Sequence, residues 1–394
     1  MKYKYLTLKY ALINASFMMG MCAASYAYNF LSQSGFSDGQ VGLIITSVSL
    51  VGLFLSPMAA QFVDKSEKVD EKAFISYAMI VSIAAAVLLA FAPDGSILMI
   101  LADIILFTCA TIGYPFFNTM AFIYEKDGQT INYGLCRGIG SLAFAVGSFL
   151  VGKLWSMMGK SVLPWYLAVF CALSLLIIRT MPTPSKSPVK EETREVRRDL
   201  SYIEFFKKYR NVAMVTVALV FFYFTHMLIN TYAAKIIGNI VGEGGDVESI
   251  QGTASFIAAV LELPAMFGFS KLCEKFSINQ LLIFAAIMYS VKHIATWMAG
   301  SVPMLYFAYA LQMFSYAIIT PAVVYFTNAN VNEEDRNKGQ AVTMMGTTIG
   351  GLLASSIGGT LFQTTGVSTV LLIGAVFSCI GTVLMVLALR EKKA

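Results

Sequence analysis

Residues Met181–Arg210 read MPTPSKSPVKEETREVRRDLSYIEFFKKYR and form the longest polar stretch of a 394-residue chain. Pro182, Pro184 and Pro188 open it, and Lys190, Glu191, Glu192, Arg194, Glu195, Arg197 and Arg198 follow. Proline and dense charge leave this first part without a core of its own, so it reads as a tether. The second part differs. Asp199 is placed to cap a helix, and Leu200, Ile203 and Phe206 recur at helical spacing beside Lys207, Lys208 and Arg210. That pattern predicts a helix lying in a membrane interface.

Outward from this stretch, six apolar runs precede it and six follow. The first set lies near 6–31, 40–63, 73–92, 97–124, 134–157 and 162–180. The second lies near 211–241, 249–272, 279–299, 302–328, 339–362 and 367–389. Each is long enough to cross a bilayer, and none alternates as a barrel strand does, so all twelve are expected to be helices. The chain is 57% apolar and 13% charged, against about 25% charged in a soluble domain. Such a composition excludes a disordered chain, a coiled coil and a large aqueous catalytic domain. The six cysteines all fall within or at the ends of apolar runs, so neither a disulfide framework nor a metal-ligand set is expected. The first run is long enough to span and reads as a retained helix rather than a signal peptide.

Basic residues set the orientation. With both termini in the cytoplasm, all 28 Lys and Arg except Lys153, Lys160, Lys235 and Lys292 fall on cytoplasmic segments or just inside their helix ends. The expected outer connections 32–39, 93–96, 300–301 and 363–366 have none. That asymmetry calls for an even number of spans in a plasma (inner) membrane. A net charge of +5 is therefore a matter of topology and not of nucleic-acid binding.

The two sets of spans repeat one another. Asn132-Tyr-Gly134 recurs as Asn337-Lys-Gly339, Pro115 as Pro321, and Asp64-Lys65 as Glu274-Lys275, in the same order and at nearly constant offset. The expected organisation is a six-helix bundle over 1–180, a cytoplasmic linker with its interfacial helix over 181–210, and a second six-helix bundle over 211–394.

On these features the sequence resembles the major facilitator superfamily along essentially its whole length. Ala60-Gln-Phe-Val-Asp64-Lys65 is similar to that family's loop signature Gly-x-x-x-Asp-Arg/Lys, with alanine in place of glycine. The resemblance implies a gating role for Asp64 and Lys65 at the cytoplasmic ends of the halves; read alone, the pair is a solvated helix cap. Tyr133-Gly-Leu-Cys-Arg137-Gly-Ile-Gly140-Ser-Leu-Ala-Phe144 resembles the branch that holds lactose, nucleoside and phenylpropionate permeases. There the arginine binds substrate and the aromatic residue stacks on it, which implies those roles for Arg137 and Phe144. Seven residues apart, both lie on one helix face. Arg137 also fits a plain basic anchor at a helix end.

Glu262 in span 8 and Lys292 in span 9 resemble the same branch's essential glutamate and arginine. An ionised side chain in mid-bilayer costs about 2.5–3.5 kcal/mol even on the gentler scales, so the two are expected to pair across a central cavity. Glu262 would contact substrate, with Lys292 as its partner; a purely structural salt bridge is the alternative. His226 in span 7 is one of two histidines and stands where phenylpropionate permeases are similar. It could carry a proton, donate to substrate, or only bond a neighbouring helix. His293 takes no role, on a different face from Lys292. Gln312 and Ser315 replace the proton-coupling histidine and glutamate of lactose permease, which moves coupling onto Glu262, with His226 or Asp103 behind it. Tyr26, Tyr28 and Asn29 are candidates to line the cavity from span 1. Glycine-rich span 11 is expected to allow close helix packing.

The sequence therefore reads as an all-α integral membrane protein of twelve transmembrane helices in two pseudo-symmetric bundles. The expected activity is secondary transport by alternating access, as proton-coupled symport of a small polar solute. A sugar or oligosaccharide comes first, then a nucleoside or aromatic acid. The alternatives are an exporter of amphipathic compounds and a non-transporting nutrient sensor. Binding falls to Arg137, Phe144, His226, Glu262, Lys292 and Gln312, and proton coupling to Glu262, His226 and Asp103. No enzymatic centre, cofactor or metal is expected, and the partners are solute, H+ and lipid around a monomer.

Overall fold

A computed structural model describes residues 5–66, 68–129, 131–183 and 201–390, without the side chain of Lys126. Among the described residues, twelve helices are long and apolar enough to cross a membrane. Spans 1 to 6 are Leu6–Gln33, Asp38–Lys65, Glu71–Phe91, Ile97–Glu125, Tyr133–Met158 and Val162–Thr180. Spans 7 to 12 are Arg210–Thr231, Val247–Phe267, Ile278–Met298, Val302–Asn330, Glu333–Thr365 and Val367–Arg390. The tether 184–198, together with Asp199 and Leu200, lies outside the described residues.

The chain divides into two compact units, Met1–Arg194 and Glu195–Ala394. In the first, span 1 packs on spans 5 and 6, and span 3 on spans 4 and 6. In the second, span 7 packs on spans 11 and 12, and span 9 on spans 10 and 12. Adding six to each number of the first set gives the second, so the sequence repeat is also a repeat of packing. Within the first unit, side chains gather the carbonyls that end span 6 and follow it. Lys9 Nζ donates to Thr180 O at 2.6 Å, Lys72 Nζ to Met181 O at 2.6 Å and Tyr124 Oη to Pro182 O at 2.5 Å. Donors there satisfy a helix end that has no intrahelical partners of its own. Lys160 Nζ, between spans 5 and 6, ties two other connections to its own through Asp94 Oδ2 at 2.6 Å, and through Ser34 Oγ at 3.1 Å and Gln33 O at 3.2 Å.

Several expectations are corrected. Span 1 is interrupted by a tight 3-10 turn at Cys22–Tyr26. Span 7 ends at Thr231, and Ala233–Val241 is a separate helix. Span 8 stops at Phe267, and Phe269–Lys275 is a short helix beyond Gly268. Span 10 unwinds into a 3-10 turn at Leu311–Phe314. Tyr26 and Tyr28 are buried, donating to Ser148 O at 2.7 Å and Asp38 Oδ1 at 2.6 Å, and so serve packing. Asn132 caps span 5, whereas its repeat partner Asn337 lies inside the helix Arg336–Thr365.

The amphipathic helix runs Tyr202–Lys208 and is capped by Ser201. Ser201 Oγ accepts from Glu204 N, and the Glu204 carboxylate accepts from Ser201 N. A reciprocal box of this kind satisfies two orphan donors at once, and places the cap two residues after Asp199. Phe205 is the buried side chain, while Tyr202, Ile203 and Phe206 stay exposed. Lys208 Nζ and Tyr209 Oη both donate to Asp335 Oδ2, at 2.9 and 2.7 Å, which fastens this helix to the start of span 11.

Span 11 approaches span 7 through glycine, as its composition suggested. A β-carbon at Gly346 would stand 2.6 Å from Thr216 O, and one at Gly350 would stand 2.7 Å from Val220 O and 2.8 Å from Phe224 N. Backbone meets backbone here, so the fit has no flexible side chain to absorb a methyl group. Gly350→Ala is expected to destabilise the protein by about 1–3 kcal/mol. Gly351→Ala, whose β-carbon would meet only Met227 Cγ at 3.4 Å, serves as the tolerated control. Thermal unfolding in detergent separates the two, and equal midpoints would contradict the packing account.

Candidate functional site

Among the polar side chains inside the second unit, five form one connected chain. Lys292, in the middle of span 9, is only 2% exposed. Its Nζ donates to Gln312 Oε1 at 2.5 Å and lies 3.3 Å from His226 Nδ1. Gln312 Nε2 in turn donates to Glu262 Oε1. At the other end, His226 Nε2 pairs with Asn230 Nδ2 at 3.0 Å, one turn along span 7. Spans 7, 8, 9 and 10 each contribute, and the run reads Asn230–His226–Lys292–Gln312–Glu262.

The direct Glu262–Lys292 pair expected from sequence is therefore corrected. No ion pair joins them among the described residues, and an amide stands between. Gln312 offers one acceptor and two donors on a rigid plane, so it can satisfy an ammonium on one side and a carboxylate on the other. The unwound turn Leu311–Phe314 carries it there. Short 3-10 segments within helices often mark sites of function or strain. Lys292 and His226 are buried, whereas Glu262 and Gln312 remain partly exposed. Glu262 makes no other hydrogen bond among the described residues. The partly exposed end of the chain thus offers a carboxylate oxygen and an amide to a ligand, backed by a buried ammonium.

Tyrosines wrap the chain. Tyr316 stacks on His226 with ring centroids 5.1 Å apart and planes 13° from parallel. Tyr223 and Tyr289 meet the same imidazole edge-on at 5.9 Å. Lys292 Nζ lies 5.9 Å from the Tyr309 ring centroid, where the aromatic quadrupole favours a cation. Sequence reasoning missed all four. The signal was present: Tyr223, Tyr289 and Tyr309 each precede a chain residue by three positions, and Tyr316 follows Gln312 by four. His293, which sequence reading left without a role, is buried and bonded through Nδ1 to Ser378 Oγ in span 12.

The remaining candidates belong to the first unit. Arg137 is exposed in the second turn of span 5, and its Nη1 donates to Ser141 Oγ at 3.0 Å. Phe144 is half-buried two turns on. Asp103 in span 4 is 1% exposed, and neither carboxylate oxygen has a hydrogen-bond partner among the described residues. Asp64 and Lys65 are exposed at the end of span 2, without an ion pair among the described residues. No group of three His, Cys, Asp or Glu able to hold a metal occurs among the described residues.

Comparison with known proteins agrees with this architecture. The maltose permease of Geobacillus stearothermophilus is 23% identical over 367 residues, covering 91% of this chain and 88% of that protein. The crystal structure of the nucleoside transporter NupG superposes with a TM-score of 0.79 at 14% identity, over 98% of this chain and 100% of that one. A D-xylose-proton symporter gives 0.70 at 13% identity, over 99% and 97%. The profile of the MFS_1 like family matches residues 10–373. With twelve spans in two repeated units and a family match over most of its length, the chain belongs to the MFS_1-like family of the major facilitator transporters.

Proposed function

We propose that the protein is a proton-coupled symporter of a small hydroxylated solute, with a sugar or oligosaccharide as the leading class. The observation that carries this reading is the amide-bridged chain Lys292–Gln312–Glu262. Glu262 accepts from solute hydroxyls at the partly exposed end, and Gln312 holds the carboxylate in place. Lys292 beneath supplies the countercharge that a carboxylate within the bilayer requires. A proton on Glu262 removes its charge, so the donor from Gln312 and the field of Lys292 lose their partner. Solute and proton then act on the same carboxylate, and this is the coupling. Neutral His226 turns its Nδ1 lone pair to Lys292 from the far side, and a proton taken up there would release the ammonium, which makes it the second proton site, with Asp103 as a site in the N-terminal half.

Arg137 and Phe144 serve as the N-terminal contribution to binding, a planar pair of donors and an aromatic face. Asp64 and Lys65 gate at the end of span 2. The two six-helix bundles, 1–180 and 211–394, alternate access around the linker 181–210, with both termini in the cytoplasm and the chain in the plasma membrane as a monomer. The transport activity named for the maltose permease relative favours the sugar class, and that named for the nucleoside transporter supports the second choice.

Uptake into vesicles reconstituted with the purified chain tests the reading, with sugars, nucleosides and aromatic acids offered with and without an imposed pH gradient. Accumulation above the external concentration is expected only with the gradient, and gradient-independent accumulation would sink the symport. Glu262→Gln is expected to abolish accumulation, and Arg137→Ala to weaken solute affinity. Unchanged kinetics in both variants would remove these residues from the site. Lys292→Ala alone should be inactive, because it strands the carboxylate. Recovered transport in Glu262→Ala/Lys292→Ala would show that the chain is structural and not part of the mechanism.

A further inference from the structure

Directly behind the polar chain, the second unit holds an apolar groove of about 670 Å3. Its walls include Pro264, Gly268 and Leu272 near the end of span 8, Leu281 and Phe284 of span 9, and Phe314 of span 10. Two breaks meet at this place: span 8 stops at Phe267, just before Gly268, and span 10 unwinds through Phe314. Only one polar side chain, Gln280, lines the groove, and its Oε1 already accepts from Ser277 N at 2.9 Å. A polar solute would find there only the amide of Gln280 to bond.

Three properties identify an occupant. First, Phe284 at the rim is 43% exposed and begins a stripe continued by Ile287 and Val291, at 46% and 42%. A purely apolar exposed stripe on a membrane helix belongs against hydrocarbon, so the groove opens where acyl chains are the solvent. Second, the wall from Pro264 to Phe276 runs from the last turn of span 8, past the break at Gly268, along the short helix Phe269–Lys275, so it leads from within the span to the basic end of that short helix. Third, Lys271 and Lys275 are exposed beside the far end of that wall and have no ion-pair or hydrogen-bond partner among the described residues. Glu274 between them offsets only part of this charge.

We propose that this groove binds one acyl chain of an anionic phospholipid, whose headgroup rests against Lys271 and Lys275. Basic side chains at a bilayer surface attract anionic headgroups, and the groove turns that general attraction into a fixed position. The chain terminus lies against Pro264 and Phe314, which are two residues beyond Glu262 and Gln312. Lipid occupancy therefore braces both breaks from behind.

The test uses the full-length protein in phosphatidylethanolamine vesicles, with a trace of phosphatidylglycerol bearing a photoreactive group at the end of one acyl chain. After illumination, mass spectrometry maps the adducts. Labelling is expected to concentrate at Pro264, Phe284 and Phe314, severalfold above exposed apolar positions such as Leu101 and Val169. Lys271→Gln/Lys275→Gln should lower that labelling about tenfold, and leave labelling by a matching phosphatidylcholine probe unchanged. Ala265→Trp, which fills the groove, should remove the labelling while an unaltered unfolding temperature shows that the protein is intact. Uniform labelling over the apolar surface would overturn the proposal, as would labelling insensitive to Ala265→Trp. Displacement of the probe by a transported sugar would instead assign the groove to solute.

Discussion

The amide of Gln312 between Lys292 and Glu262 is the contact on which the second unit's interior depends. Hydrocarbon around a membrane helix offers no compensation for a charge, so each ionised group must find its partner within the protein. Here the ammonium and the carboxylate do not touch. A neutral group accepts from one and donates to the other, and so transmits the state of either. The arrangement constrains four helices at once. Span 10 must unwind at Leu311–Phe314 to present Gln312, and span 7 must bring His226 to Lys292. The glycines of span 11 let it lie directly against span 7.

The two units apply one packing plan to different purposes. Equivalent spans pair in both, yet among the described residues the first unit shows no counterpart to the buried polar run. Several of its charged side chains work at helix ends: Lys9 and Lys72 hold the end of span 6, and Lys160 ties connections. Asp103 differs, a buried carboxylate without a hydrogen-bond partner among the described residues. The proposed mechanism accordingly concentrates solute and proton chemistry in the second unit and asks of the first an arginine, an aromatic face and one more proton site.

What could be read from the sequence follows the range of the forces involved. Twelve spans were legible because each is long enough to satisfy the bilayer alone. The candidate residues His226, Glu262, Lys292 and Gln312 were legible because charge and amide are rare in such spans, and the structure brings all four together. Their connectivity was not. Depth along a straight helix suggested a direct Glu262–Lys292 pair, but the 3-10 turn that inserts Gln312 changes helical phase in a way that no periodicity shows. The cap at Ser201 was missed for a local reason: Asp199 and Ser201 both suit the role, and only Glu204 three residues after Ser201 decides between them. His293 was set aside for its helix face, yet span 9 packs on spans 7, 10 and 12, and so buries more than one face.

The central claim is that Glu262 and Lys292 act on solute through Gln312. A double-mutant cycle measures it directly, using the affinity of the purified protein for its best-transported solute. Glu262→Gln and Lys292→Met, singly and together, should show a coupling of at least about 1 kcal/mol. Repeated in a Gln312→Leu background, the coupling should fall close to zero. A coupling that survives Gln312→Leu undiminished would mean that the charges interact without the amide, and would contradict the account.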